Sequence, residues 1–184
     1  MEIRLEAKHL NDVCVIVPEV FQDSRGFFME TYQEQLFAQA GLPTQYVQDN
    51  QSGSRQGILR GLHYQIQQTQ GKLVRAIVGE IYDVAVDLRR SSPSFGKWTA
   101  VCLSAINKSM LWVPPGFAHG FYVLSEWTEI FYKATDFYAP HHERTLAWND
   151  PQLGISWPLI KGQPPTLSTK DAAGTLLADA EVFE

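Results

Sequence analysis

From Ile58 onward the chain is a succession of short apolar runs: Leu73 to Val78, Glu80 to Leu88, Lys97 to Leu103, Met110 to Val113, Gly120 to Leu124 and Thr128 to Thr135. Gly, Pro, Ser or Asn separates one run from the next, at the spacing of an antiparallel sandwich or barrel. No helical stretch alternates with them, which disfavours a parallel nucleotide-binding sheet. Ahead of this series, Val13 to Val17 reads as a buried strand, and Asp23-Ser24-Arg25-Gly26 as a turn leading into Phe27 to Glu30. Gln33 to Ala40 is the one convincing internal helix. It places Leu36, Phe37 and Ala40 on one side and stops at Gly41-Leu42-Pro43. After Tyr138-Ala139-Pro140 the chain turns Pro-rich and irregular through Pro165, and a short helix is expected from Lys170 to Ala180.

A length of 184 residues fits one domain, 1–184. No apolar run approaches membrane-spanning length, and the first residues alternate charge without the apolar core of a signal peptide, so a cytoplasmic protein with no membrane partner is expected. Fifteen basic against twenty acidic residues give a net charge of -5. That balance argues against a nucleic-acid partner, whose binding rests on phosphate neutralisation, but a pocket for a small anion needs only a few converging cations. Cys14 and Cys102 form no metal-ligand or redox spacing, so free, buried thiols are expected.

Pro114-Pro115-Gly116-Phe117-Ala118-His119 fits the P-x-G-x-x-H turn of cupin barrels, a tight turn that presents a histidine to a barrel mouth. A surface turn with an incidental histidine explains the segment equally well. Metal-binding cupins add a second histidine two residues after the first on an earlier strand. Here His63 is followed by Gln65, which leaves too few ligands for a metal site. His141 and His142 point in different directions in an extended segment and read as a solvated loop. Lys72, after Gln70-Gly71, suits a solvated strand-entry cation. Arg60 and His63 have opposite parity in a regular strand, so they share a pocket only if the backbone bulges or bends near Gly61. Tyr132 shares a strand face with Thr128, Ile130 and Ala134 and suits either a core tyrosine or a phenol lining the barrel. Asp171 closes Ser168-Thr169-Lys170-Asp171, for which helix capping is a sufficient local explanation.

Taken together, ordered motifs over most of the length carry a specific resemblance. They include Asp23-Ser24-Arg25-Gly26-Phe27-Phe28-Met29-Glu30, Val47-Gln48-Asp49-Asn50, Leu59-Arg60-Gly61-Leu62-His63-Tyr64-Gln65 and Gln70-Gly71-Lys72-Leu73-Val74-Arg75. Further on come Asp83-Val84-Ala85-Val86-Asp87-Leu88-Arg89, Pro115 to Phe121, Tyr132-Lys133 and Trp148-Asn149-Asp150-Pro151. The chain resembles the dTDP-4-dehydrorhamnose 3,5-epimerases, cupin enzymes of deoxysugar-nucleotide biosynthesis. The resemblance implies a mainly β jelly-roll barrel with a few short helices and an isomerase that needs no cofactor or metal. The implied substrate is a dTDP-linked 4-keto-6-deoxy sugar.

By the same resemblance, His63 would be the general base oriented by Asp171, Tyr132 the proton donor from the opposite side, and Lys72 the cation stabilising an enolate. Arg25, Glu30, Gln48, Asp49, Asn50, Arg60, His119, Glu143 and Lys170 would line the sugar-nucleotide site, with Tyr138 stacking on thymine. The first 50 or so residues would contribute to a homodimer interface, Arg25 and Glu30 completing the neighbour's pocket, and residues from about 140 would pack on the barrel. A related epimerase acting at only C3 or only C5 shares the same base. A metal-dependent oxygenase and a non-catalytic sugar-nucleotide-binding module are the other classes.

Overall fold

The run Val13-Cys14-Val15-Ile16-Val17 has no polar side because its strand is covered on both faces. Val13 and Val15 enter the core between two sheets, while Cys14 and Ile16 enter a second cluster outside them with Phe37, Leu42 and Trp112. The computed structural model describes residues 2–10 and 12–184. Its strands in chain order are β1 (Ile3–His9), β2 (Val13–Pro18), β3 (Val20–Asp23), β4 (Gly26–Met29), β5 (Gln48–Arg55), β6 (Leu59–Gln65) and β7 (Lys72–Val78). They continue with β8 (Glu80–Asp87), β9 (Trp98–Ser104), β10 (Met110–Val113), β11 (Phe117–Val123), β12 (Trp127–Ala134) and β13 (Glu143–Thr145).

One sheet runs β1-β2-β10-β7-β12-β5 and faces another of order β13-β6-β11-β8-β9; all named strand pairs are antiparallel. This is the expected mainly β cupin jelly roll. The hairpin β3–β4 stands apart, turning at Asp23 to Gly26 where the sequence places a turn. Helix α1 (Glu34–Gln39) falls within the expected span. The Gln33 side chain accepts from Leu36 N–H, and Phe37 is the residue it buries.

Three expectations are corrected. The C-terminal helix is one turn, α2 (Thr169–Ala172), and does not reach Ala180. Beyond it, Thr175 N–H donates to Thr145 O and Thr175 O accepts from Ala147 N–H, so the backbone pairs with the 145–147 segment instead of with itself. A Cβ on Gly174 would lie 2.8 Å from the Ala147 backbone, a close approach open only to glycine. Cys102 is exposed on β9, not buried, although both thiols are free. Finally, β11 begins at Phe117, ahead of the apolar run expected from Gly120.

The core lies on the inward series of these strands. Ile81 and Ala85 of β8, Phe117, Phe121 and Val123 of β11, and Val74 and Ala76 of β7 meet between the sheets. Each fully buried large apolar side chain contributes about 1.5–3 kcal/mol. Polar residues interrupt these series at Lys72, Asp83 and His119. A core of this size can bear their burial, and the interruptions mark where the barrel interior becomes a site.

Candidate active site

The expected irregularity lies in β6. Its ladder with β11 pairs His63 with His119 but Arg60 with Phe121, so three steps on β6 match two on β11. The extra residue is a bulge, and it brings Arg60 and His63 to the same cavity. Glycine is required there. Gly61 has φ +123°, and a Cβ on it would lie 2.5 Å from Gly120 Cα and 2.8 Å from His119 O.

That cavity, about 140 Å³, is walled by Arg60 and His63 from β6, Lys72 from β7, His119 from β11 and Tyr132 from β12. A larger, open hollow of about 470 Å³ lies along the β3–β4 hairpin, against Phe21, Arg25, Phe27 and Phe28. Its one ion pair, Asp23 with Arg25, is solvent-exposed, whereas the smaller cavity gathers an imidazole, an ammonium and a phenol. The smaller one is the chemically competent site.

His63 Nε2 lies 2.5 Å from Asp171 Oδ1, and the pair is mostly shielded, with 24% and 5% of the two side chains exposed. An ionised carboxylate only accepts, so Nε2 carries the proton and Nδ1 keeps its lone pair. Asp171 is itself held. The Ser168 hydroxyl donates to Oδ2 at 2.7 Å, Gly61 N–H donates to Oδ1 at 3.4 Å, and Asp171 N–H donates back to Ser168 Oγ. Burial works against its ionisation, but the hydrogen bonds from His63, Ser168 and Gly61 N–H outweigh it and hold the carboxyl below the usual range. Capping by Ser168 and orientation of His63 are therefore two uses of one residue.

Tyr132 reaches the cavity from the sheet opposite His63. Burial, with the negative charge of Glu143, raises its pKa against the opposing pull of Arg60, so the phenol keeps its proton. Lys72 is no solvated strand-entry residue: it lines the cavity, and desolvation brings its ammonium down to about 8 despite Glu143 and Asp83. It is a cation below that pH and loses its charge above it. The arrangement sets an imidazole on one wall, a protonated phenol on the other and a titratable ammonium beside them, groups that suit proton abstraction next to a carbonyl.

At the mouth, Glu143 joins two further residues. Lys170 Nζ donates to its Oε1 at 2.8 Å and Tyr138 OH to its Oε2 at 2.9 Å, while Tyr138 N–H donates to Gln48 Oε1. Tyr138 keeps 52% of its surface exposed, leaving a ring available for stacking. Gln48 also donates to Asn50 Oδ1. Asp49 falls on the other face of β5, where it pairs with Lys133 and not with the cavity. Arg25 and Glu30 are not at the cavity either: Arg25 is 88% exposed on the hairpin, and Glu30 lies near Glu19 and Tyr32. Gln65, standing where a second metal-binding histidine would fall, donates to Gln68 O and Phe137 O and accepts from Ala139 N–H, so it ties down the segment carrying Tyr138.

Sequence reasoning missed Ser52, Ser168 as a partner of the Asp171 carboxylate, and Asp83, whose Oδ1 lies 2.7 Å from His119 Nε2. A carboxylate inside the apolar strand Ile81 to Val86 was the available signal for the last.

A family model described as dTDP-4-dehydrorhamnose 3,5-epimerase matches residues 7–179. A protein of that name from Pseudomonas aeruginosa is 58% identical over 173 residues, covering 94% of each chain. The crystal structure of the dTDP-6-deoxy-D-glucose-3,5-epimerase of Legionella pneumophila, in complex with dTDP-4-keto-L-rhamnose, is 48% identical; it covers 98% of this chain and 95% of its own, with a TM-score of 0.94. A 3'-monoepimerase from Streptomyces bikiniensis, in complex with dTDP-quinovose, is more distant: 33% identical, covering 90% and 84%, with a TM-score of 0.84. With its barrel, its His63–Asp171 pair and a match over nearly its whole length, the chain belongs to the dTDP-4-dehydrorhamnose 3,5-epimerase family.

Proposed function

We propose that the protein converts dTDP-4-dehydro-6-deoxy-D-glucose to dTDP-4-dehydro-L-rhamnose by inverting C3 and C5, in dTDP-L-rhamnose biosynthesis. The observation that carries this reading is the placement of His63 and Tyr132 on opposite walls of one cavity with Lys72 beside them. The C4 ketone acidifies the hydrogens on both neighbouring carbons. Nδ1 of His63 takes one of them, the C–H electron pair passes to O4, and Lys72 meets the charge that develops there. Tyr132 then returns a proton to the other face of the same carbon. Both groups reset by exchange with solvent, and a second cycle inverts the other centre. The chemistry is redox-neutral and needs no cofactor. A placed general base supplies about 10²–10⁴ in rate, and a preorganised donor at the oxyanion about 3–4 kcal/mol.

Arg60 and Lys170 supply positive charge for the diphosphate, His119, Gln48, Asn50 and Glu143 polar contacts, and Tyr138 the face for thymine. Asp49 serves through its ion pair with Lys133, which fastens β5 to β12. The greater identity to 3,5-epimerases than to the 3'-monoepimerase favours two centres over one. The test is the configuration of the product. NMR of dTDP-4-keto-6-deoxyglucose incubated with the protein is expected to show both C3 and C5 inverted, and a product inverted at one carbon contradicts the reading.

The active unit is a homodimer. The β3–β4 hairpin exposes Phe21, Phe27 and Phe28, an apolar patch of the kind that marks an interface, and it carries Arg25 away from its own cavity. Arg25 and Glu30 then complete the neighbour's site. Mixing inactive His63→Ala and Arg25→Ala proteins, with subunit exchange, is expected to restore roughly one quarter of wild-type activity, because half the dimers hold one intact site of two. Activity no greater than that of the separate variants contradicts shared sites. A sugar-nucleotide substrate and two free thiols support a cytoplasmic place of action; no helix among the described residues is long and apolar enough to cross a membrane.

A further inference from the structure

Strand β5 lies at the edge of its sheet and pairs with β12 without a break from Gln48 to Arg55. Its even-numbered residues follow the inward face: opposite Tyr132, Ile130 and Thr128 stand Asn50, Ser52 and Ser54. Ser52 lines the cavity, whereas Ser54 is buried two residues farther along. A buried hydroxyl costs stability unless it is hydrogen-bonded. The partner of this one is a cation. Arg60 Nε donates to Ser54 Oγ at 3.0 Å, and Arg60 Nη2 donates to the adjoining Gly53 carbonyl at 3.4 Å.

Arg60 belongs to β6 in the facing sheet, so its side chain bridges the two sheets while it lines the cavity. Nε–H and one Nη2–H lie along one edge of a guanidinium; the second Nη2–H and an Nη1–H lie along the next. Two consecutive residues of β5 take the first edge. The second, whose two parallel donors match two oxygens of a phosphate, has no hydrogen-bond partner among the described residues. Both acceptors on the first edge are neutral. Carboxylates pair with Arg4, Arg25, Arg89, Arg90 and Arg144, but among the described residues none pairs with Arg60. At the mouth, Lys170 is by contrast held at 2.8 Å by Glu143. Arg60 is therefore oriented without being neutralised.

We infer that Ser54 is a positioning residue for substrate binding: with the Gly53 carbonyl it fixes the Arg60 guanidinium before the sugar nucleotide arrives and leaves the free edge for the diphosphate. The inference rests on Arg60 being a diphosphate ligand. An arginine that is mobile beforehand loses rotamer freedom when it closes on a phosphate, and holding it in advance removes that cost from association. Neutral acceptors suit the task, because a carboxylate in their place would cancel the charge that attracts the phosphate. The role accounts for a buried polar residue on β5 beyond the last one that lines the cavity.

The test is Ser54→Ala, which removes the hydroxyl and adds no bulk. By titration calorimetry its affinity for dTDP is expected to fall by about threefold to tenfold, the cost of ordering one long side chain on binding. Affinity for thymidine, which has no phosphate, is expected to stay the same. KM for the sugar nucleotide rises by the same factor with kcat little changed, because the diphosphate carries the same charge in the ground and transition states. Equal losses for dTDP and thymidine mark a merely structural serine and overturn the inference, as does an unchanged affinity for dTDP. Arg60→Met separates the two readings. If it binds dTDP as wild type does, Arg60 is not a diphosphate ligand and the underlying reading fails; if it binds dTDP weakly while Ser54→Ala does not, only the role of Ser54 fails. Added to Arg60→Met, Ser54→Ala is expected to weaken dTDP no further, and an undiminished effect there overturns the inference. A last measurement needs no variant. Nitrogen NMR relaxation of the arginine Nε–H groups in the unmodified, ligand-free protein is expected to find Arg60 ordered, with an order parameter above about 0.6. A lower value means a mobile guanidinium and overturns the inference even if Ser54→Ala does not fold.

Discussion

His63→Ala is expected to lose turnover by a factor of about 10²–10⁴ while remaining folded. Imidazole is the group in the cavity suited to accept a proton from carbon at neutral pH, and of the two histidines there His63 is the more open to substrate, with 24% of its side chain exposed against 8% for His119. Folding should survive, because Asp171 keeps its bonds to the Ser168 hydroxyl and Gly61 N–H when the ring is gone. Steady-state kinetics with circular dichroism on the same sample checks both halves. Asp171→Asn is the companion. The amide preserves the shape but can offer Nε2 a donor in place of the carboxylate, which forces the proton onto Nδ1 and removes the basic lone pair. Its kcat is expected to fall by a comparable factor, with KM little changed. A His63→Ala protein retaining more than about a tenth of wild-type kcat excludes His63 as the base.

Gly61→Ala is expected to be the most damaging small substitution for stability. The added methyl would meet the Gly120 Cα at 2.5 Å and the His119 carbonyl at 2.8 Å, both backbone atoms that cannot turn aside, at a φ of +123° that L-residues rarely adopt. Backbone strain and overpacking together cost about 2–6 kcal/mol, a fall in Tm on the order of 10 °C for a chain of this size. Activity measured below the transition should also drop, because relief of the clash has to separate β6 from β11 and with them His63 from His119. Gly120 closes the same contact from the other side: its Cβ would lie 2.6 Å from Arg60 O. An unchanged Tm with full activity in Gly61→Ala would contradict the tight crossing described here.

The strands that sequence reasoning located are those with an apolar signature on at least one face. β2 and β10 send alternate residues into the inter-sheet core and the outer cluster, so both read as unbroken apolar runs. β5 left no such mark. Gln48 to Arg55 is polar throughout because its inward side chains, Gln48, Asn50 and Ser52, lead toward the mouth and cavity and not into the core. The C-terminal helix was overextended for a related reason: local propensity favours it, but pairing of Thr175 with the 145–147 backbone ends it after one turn.

In the site, the parity conflict between Arg60 and His63 was readable from the chain, and the bulge at Gly61 resolves it as that conflict required. What parity could not reveal were partners brought from far along the chain. Asp171, 108 residues after His63, was explained locally as a cap, and its contact with the imidazole exists only once α2 docks against β6. Asp83 meets His119 across adjacent strands, a pairing that depends on the β8–β11 register.

The central claim is that one enolate-forming site serves both carbons. It is tested most directly by turnover of dTDP-4-keto-6-deoxyglucose in deuterated water, with the label located by NMR. Deuterium at both C3 and C5, lost from both together in His63→Ala, is the predicted result. Deuterium at one carbon alone, at neither, or undiminished at either carbon in His63→Ala would contradict it.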